Sequence, residues 1–91
     1  MNTMTDTPII ITVDGCDCVV TTNHRGDVIT VYDLEGTPIG EAELDSGAET
    51  VYGCYYDEDS GWFNDFAQRD LYGKTPEEIA TWIVCTHPCN G

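Results

Sequence analysis

The stretch "PIIITVDGCDCVV", residues 8–20, sets the architecture. Asp14-Gly15 is a preferred pair for a two-residue type I′ turn, and β-rich residues flank it on both sides. A hairpin about that turn sets Val13 against Cys16, Ile11 against Cys18 and Ile9 against Val20 on one face. Thr12 then meets Asp17 on the other face, so apolar and polar positions separate.

The pattern continues outward. "NHRGD" (23–27) reads as a second turn and "VITVYDL" (28–34) as a third strand. A two-residue turn at Glu35-Gly36 would set Ala42 against Ile29 and Glu41 against Thr30, which points Glu41 and Glu43 away from the core. "DSG" at 45–47 turns the chain again, and "ETVYGCYY" (49–56) reads as a fifth strand. Beyond the acidic run the period changes: Trp62, Phe63, Phe66, Ala67, Asp70 and Leu71 recur at three and four residues. That spacing predicts a helix stopped at Gly73. Thr75, Pro76 and Glu78 form a capping-box pattern for a second helix, with Ile79, Trp82 and Ile83 on one face and an end at His87-Pro88. The expected fold is therefore α+β: an antiparallel β-meander of four to five strands followed by two short C-terminal helices packed on one face. Residues 1–7 are expected to form a flexible N-terminus and residues 8–91 a single globular domain, with the opposite sheet face solvated and acidic.

Seventeen Asp and Glu stand against three Lys and Arg in these 91 residues, a formal net charge of -14. No basic residue occurs between Arg25 and Arg69. Such a surface repels nucleic acid and anionic lipid and attracts basic protein surfaces, so neither direct nucleic-acid binding nor membrane association is expected. No apolar run reaches membrane-spanning length and the start lacks the features of a signal peptide, which gives an expectation of a cytoplasmic protein. Five cysteines is an odd number, and without an export signal a disulfide framework is not expected.

The sulfur and imidazole groups raise two chemistries. Cys85, His87 and Cys89 could serve a metal or redox site, as could Cys16 and Cys18, but single-residue spacings fit zinc poorly and the hairpin register places Cys16 and Cys18 among inward Ile and Val. A thiolate nucleophile at Cys85 would need an electropositive setting that this chain lacks. "LYGKTPEE" (71–78) is no Walker loop, and "DEDSGWFND" (57–65) lacks the terminal glutamate of a calcium loop. No cofactor, metal or enzymatic activity is expected.

What remains is the acidic surface. Glu41 and Glu43 lie two apart on one strand, about 7 Å between side chains, of the order of the phosphate spacing on a nucleic-acid strand. With Asp45, Asp57, Glu58 and Asp59 they could occupy a basic groove, and Tyr55 or Tyr56 could add contact area. An acidic, Lys-poor surface is also a solubility device or an adaptation to high salt.

In size, charge and lack of catalytic motif the chain resembles the anti-CRISPR and anti-restriction DNA mimics, small anti-defence proteins of phages and mobile elements. The likeness is carried by the basic-free span from Arg25 to Arg69 and its carboxylates, and covers no alignable segment. It implies a non-enzymatic inhibitor that blocks the nucleic-acid-binding surface of a Cas effector, restriction enzyme or other host defence protein. Acidic immunity proteins and antitoxins that neutralise nuclease toxins look similar for the same physical reason. An uncovered sheet edge would leave a homodimer open to the chain.

Overall fold

A computed structural model describes residues 8–88. The segment expected to be flexible, residues 1–7, lies outside the described residues, as does Cys89. Six antiparallel strands follow one another in sheet order: β1 (Ile9–Val13), β2 (Cys16–Thr22), β3 (Val28–Asp33), β4 (Pro38–Asp45), β5 (Thr50–Asp57) and β6 (Gly61–Gln68). A 3-10 turn, Arg69–Leu71, and one helix, α1 (Pro76–Thr86), follow them among the described residues.

The first hairpin has the expected turn and register. Asp14 and Gly15 both take positive φ, 52° and 82°, as a type I′ turn requires, and Val13 pairs with Cys16, Ile11 with Cys18 and Ile9 with Val20. In the β3–β4 hairpin Ile29 pairs with Ala42 and Thr30 with Glu41, again as expected. The turn itself differs. It spans Leu34–Gly36, closed by a bond from Asp33 N–H to the Thr37 carbonyl, and holds one residue more than a two-residue turn. An irregularity at Ile39, between the pairs Tyr32–Pro38 and Val31–Gly40, takes up the extra residue, so the two departures cancel and the register beyond them is preserved.

The expectation of four to five strands followed by two helices is corrected here: residues 61–68 form a sixth strand, and only one helix follows. Along β6 the half-buried positions are Gly61 and Phe63, then Phe66 and Gln68. An ordinary strand alternates with period two, but Asn64, at φ 53°, begins a bulge that inserts one extra residue. Gly53 pairs with Phe66 and Tyr55 with Phe63, so two steps on β5 oppose three on β6. The bulge thereby turns a spacing of two into a spacing of three, which read as helical.

The helix begins where its capping box indicated. Thr75 accepts from the Glu78 N–H at 3.1 Å, while the Glu78 carboxylate accepts from the Thr75 N–H at 3.0 Å. Ile79, Ala80, Ile83 and Val84 are buried against Val20, Ile29, Val31, Ala42 and Val51 of the sheet. Gly40 allows the close approach of α1, because a Cβ there would lie 2.5 Å from Ile83 Cγ2. The core-facing side of the sheet thus packs against α1 and against Leu71 of the 3-10 turn, and the other face of the sheet has no covering layer among the described residues.

Candidate protein-docking face

Alternation along the strands decides which candidate side chains reach the open face. Ile29, Val31, Ala42, Val51 and Tyr55 face α1, so their strand neighbours Thr30, Tyr32, Glu41, Glu43, Tyr52, Cys54 and Tyr56 face away from it. Cross-strand pairing sets these outward residues in rows. Glu41 lies between Thr30 and Cys54, and Glu43 between Val28 and Tyr52. Asp45, opposite Thr50, ends the same row on β4.

Rings and carboxylates are neighbours on this face. Tyr52 is 43% exposed and Trp62 47%. Tyr56 packs edge-on against Trp62 with ring centroids 5.1 Å apart, immediately beside the turn that carries Glu58 and Asp59. The thiol of Cys54 is pushed above its ordinary value by burial and then by the charges of Asp65 and Glu41, which places both carboxylates around it. A thiol in so negative a setting is a poor nucleophile.

Tyr55 does not belong to this surface. It is buried, its ring packs against Phe63 and Phe66, and its hydroxyl lies 2.7 Å from Thr86 Oγ1. The contact area expected from Tyr55 or Tyr56 therefore falls on Tyr56 alone, with Tyr52 and Trp62 added. The apparent helical spacing assigns Trp62 to a core face, whereas its pairing with Tyr56 turns it outward.

Two of the candidate carboxylates also hold turns. Asp57 Oδ2 accepts from the N–H groups of Asp59 and Ser60, and Asp45 Oδ1 from those of Gly47 and Ala48. These are Asx-type turns, so each side chain has a local reason to be Asp. The two turns lie at opposite ends of the sheet: Asp45 pairs with Thr50, seven residues along β5 from Asp57, or about 23 Å at the usual strand rise. The candidate residues thus form an extended track across β4–β6 rather than one cluster.

Carboxylates stand at both ends of the sheet, Asp27, Asp45, Glu49 and Asp70 among them at one end, while the cations are confined to that end. The β1–β2, β3–β4 and β5–β6 turns share the opposite end and bring there Asp14 and Asp17, Asp33 and Glu35, and Asp57, Glu58 and Asp59. None of the six strands contains a Lys or Arg. Arg25, in the β2–β3 turn, Arg69, after β6, and Lys74, ahead of α1, all lie toward the first end, and Arg25 is bonded to Asp27 at 3.0 Å.

At the end without Lys or Arg a groove of about 300 Å³ is lined by Cys16, Cys18, Asp33, Ile39 and His87 among others. Cys18 is buried and Cys16 exposed, and the His87 imidazole lies 2.8 Å from the Tyr56 carbonyl oxygen. Of the Cys85, His87 and Cys89 set, Cys85 is exposed and Cys89 lies outside the described residues. Among the described residues no three His, Cys, Asp or Glu side chains converge as metal ligands, and no helix is long and apolar enough to cross a membrane. Comparison with protein-family models, curated proteins and solved structures found no match to this chain.

Proposed function

We infer that this protein is a non-enzymatic binding module whose open β4–β6 face and adjoining β5–β6 turn dock on a basic protein surface. The observation that carries this reading is a track along which Glu43 pairs beside the exposed ring of Tyr52, Glu41 lies next along β4, and the turn residues Glu58 and Asp59 adjoin the exposed ring of Trp62, with no Lys or Arg on the strands. Carboxylates supply long-range attraction, and half-exposed aromatic rings supply contact area that stays well packed on binding. The partner class is a nucleic-acid-binding protein, because its substrate groove is the common basic cleft that a row of carboxylates at phosphate-like spacing fits.

The resemblance to anti-CRISPR and anti-restriction DNA mimics makes the partner a host defence protein, met in the host cytoplasm and inhibited by occupation of its substrate groove. Competition tests this. Protein captured from a bacterial lysate on the immobilised domain should be displaced by double-stranded DNA and by raised salt, and the captured protein should cease to bind DNA. Capture that DNA leaves untouched at any salt concentration would overturn mimicry. The immunity-protein reading shares this face and differs in partner: a purified nuclease toxin inhibited one-to-one would favour it.

A further inference from the structure

β1 is an outer strand, and among the described residues nothing pairs with its free side. Its composition is unlike that of the other strands. Ile9–Val13 carries no charged side chain, whereas each of β2 to β6 carries at least one carboxylate. Exposed edges are ordinarily guarded by charge, by an internal proline or by a bulge, and β1 has none of these; its register with β2 runs unbroken over five pairs. The opposite edge is guarded twice, by the Asn64 bulge and by Asp65. In a chain of net charge -14, the neutral strand is where two copies approach with least repulsion.

Hairpin geometry defines what this edge offers. Residues flanking a two-residue turn form a hydrogen-bonded pair, so Val13, Ile11 and Ile9 direct their N–H and C=O groups toward β2. Ile10 and Thr12 direct theirs outward. We propose that the chain forms a two-fold dimer by antiparallel pairing of β1 with β1 of a second copy, centred on Ile11. In this register Ile10 and Thr12 of each copy exchange main-chain hydrogen bonds with Thr12 and Ile10 of the other, and the Ile11 residues face each other. The Ile10 side chain, 63% exposed, gains cover on the open face. The two-fold axis stands perpendicular to the sheet, so both helices lie on one side and both open faces on the other. Because the β6 edge cannot accept β1, the contact is isologous and closes at two chains.

The test is mass in solution by sedimentation equilibrium or light scattering. The wild-type chain should reach twice 10.0 kDa at millimolar protein and about 0.5 M NaCl, and dissociate as salt is lowered and repulsion lengthens. That salt dependence is opposite to the one expected for docking on a basic partner, so the two readings fail separately. Ile10→Lys charges the edge, and Thr12→Pro removes an outward N–H while leaving the β1–β2 main-chain bonds in place, at the loss of the bond from the Thr12 hydroxyl to Asp17 Oδ1. Each should give a 10.0 kDa species with an unchanged circular dichroism spectrum, whereas Ala67→Lys on the β6 edge should remain dimeric. A wild type that stays at 10.0 kDa under every condition, a dimer that survives both β1 variants, or an assembly larger than two chains overturns the proposal.

Discussion

Phe66 stands opposite Gly53 across the β5–β6 ladder, and its ring fills the space above the glycine, where a Cβ would lie 2.5 Å from Phe66 Cζ and would also clash with the Glu41 carbonyl oxygen. The same ring packs on Tyr55 at a centroid distance of 5.4 Å and on Trp82 at 4.8 Å, so it joins β5, β6 and α1. Gly53→Ala should therefore destabilise the domain by about 1–3 kcal/mol through overpacking, read as a lowered midpoint in urea unfolding. A midpoint within error of wild type would show that the Phe66 ring and the Glu41 backbone both yield without cost.

The same neighbourhood shows where the sequence misleads. Alternation and the Asp14-Gly15 turn made the register of β1 on β2 legible, and the capping box at Thr75 marked the start of α1. β6 was not legible, because Phe63 and Phe66 share a face only through the extra residue that Asn64 accommodates at positive φ, and period analysis cannot distinguish a bulged strand from a helical turn. The outward direction of Glu41 and Glu43 followed from register alone. The inward turn of Tyr55 rather than Tyr56 depended on a strand phase that neighbouring tyrosines left undetermined.

The helix start makes a pH-dependent prediction. Bonds from the backbone and side chain of Thr75 hold the Glu78 carboxyl below its ordinary value. A carboxylate favoured in the folded state adds stability above its unfolded pKa, about 4.3, and loses it as pH falls through the depressed folded value. Glu78→Ala should thus lower the thermal midpoint at pH 7, and the gap to wild type should close on acidification below about pH 4. Thr75→Ala should cost about 1 kcal/mol at neutral pH through loss of the cap. A Glu78→Ala gap that widens on acidification would contradict the assignment.

Thiol accessibility gives a third prediction. Cys16 and Cys85 are exposed, whereas Cys18 is 3% exposed and pushed above its ordinary value, first by burial and then by the charges of Cys16, Asp17 and Asp33. Alkylation with iodoacetamide at pH 8, followed by peptide mass spectrometry, should label Cys16 and Cys85 well ahead of Cys18. Because the folded-state pKa of Cys18 is raised, its contribution to stability is complete below the unfolded value and declines as pH rises through the folded one. Early labelling of Cys18 in the native state would show that β2 opens at the groove.

The docking face can be separated from the turns that support it. Asp57 carries charge and also accepts the Asp59 and Ser60 N–H bonds, so Asp57→Lys removes both at once and its failure would be ambiguous. Asp57→Asn keeps an acceptor oxygen in place and removes only the charge. Glu58 is exposed and no turn bond to its side chain is needed to close the hairpin, so Glu58→Lys reverses charge with less structural consequence. If the β5–β6 turn steers a cationic partner, Glu58→Lys should slow association several-fold at low salt, Asp57→Asn should act in the same direction more weakly, and both effects should fade as salt is raised. Trp62→Ala should instead accelerate dissociation, with a loss of about 1–3 kcal/mol in affinity that persists at high salt, because an exposed ring contributes contact rather than long-range field. Stopped-flow or surface-binding kinetics against the captured partner would resolve the two rate constants. Association and dissociation rates unchanged from wild type in all three variants, with unchanged thermal midpoints, would place the partner elsewhere on the molecule.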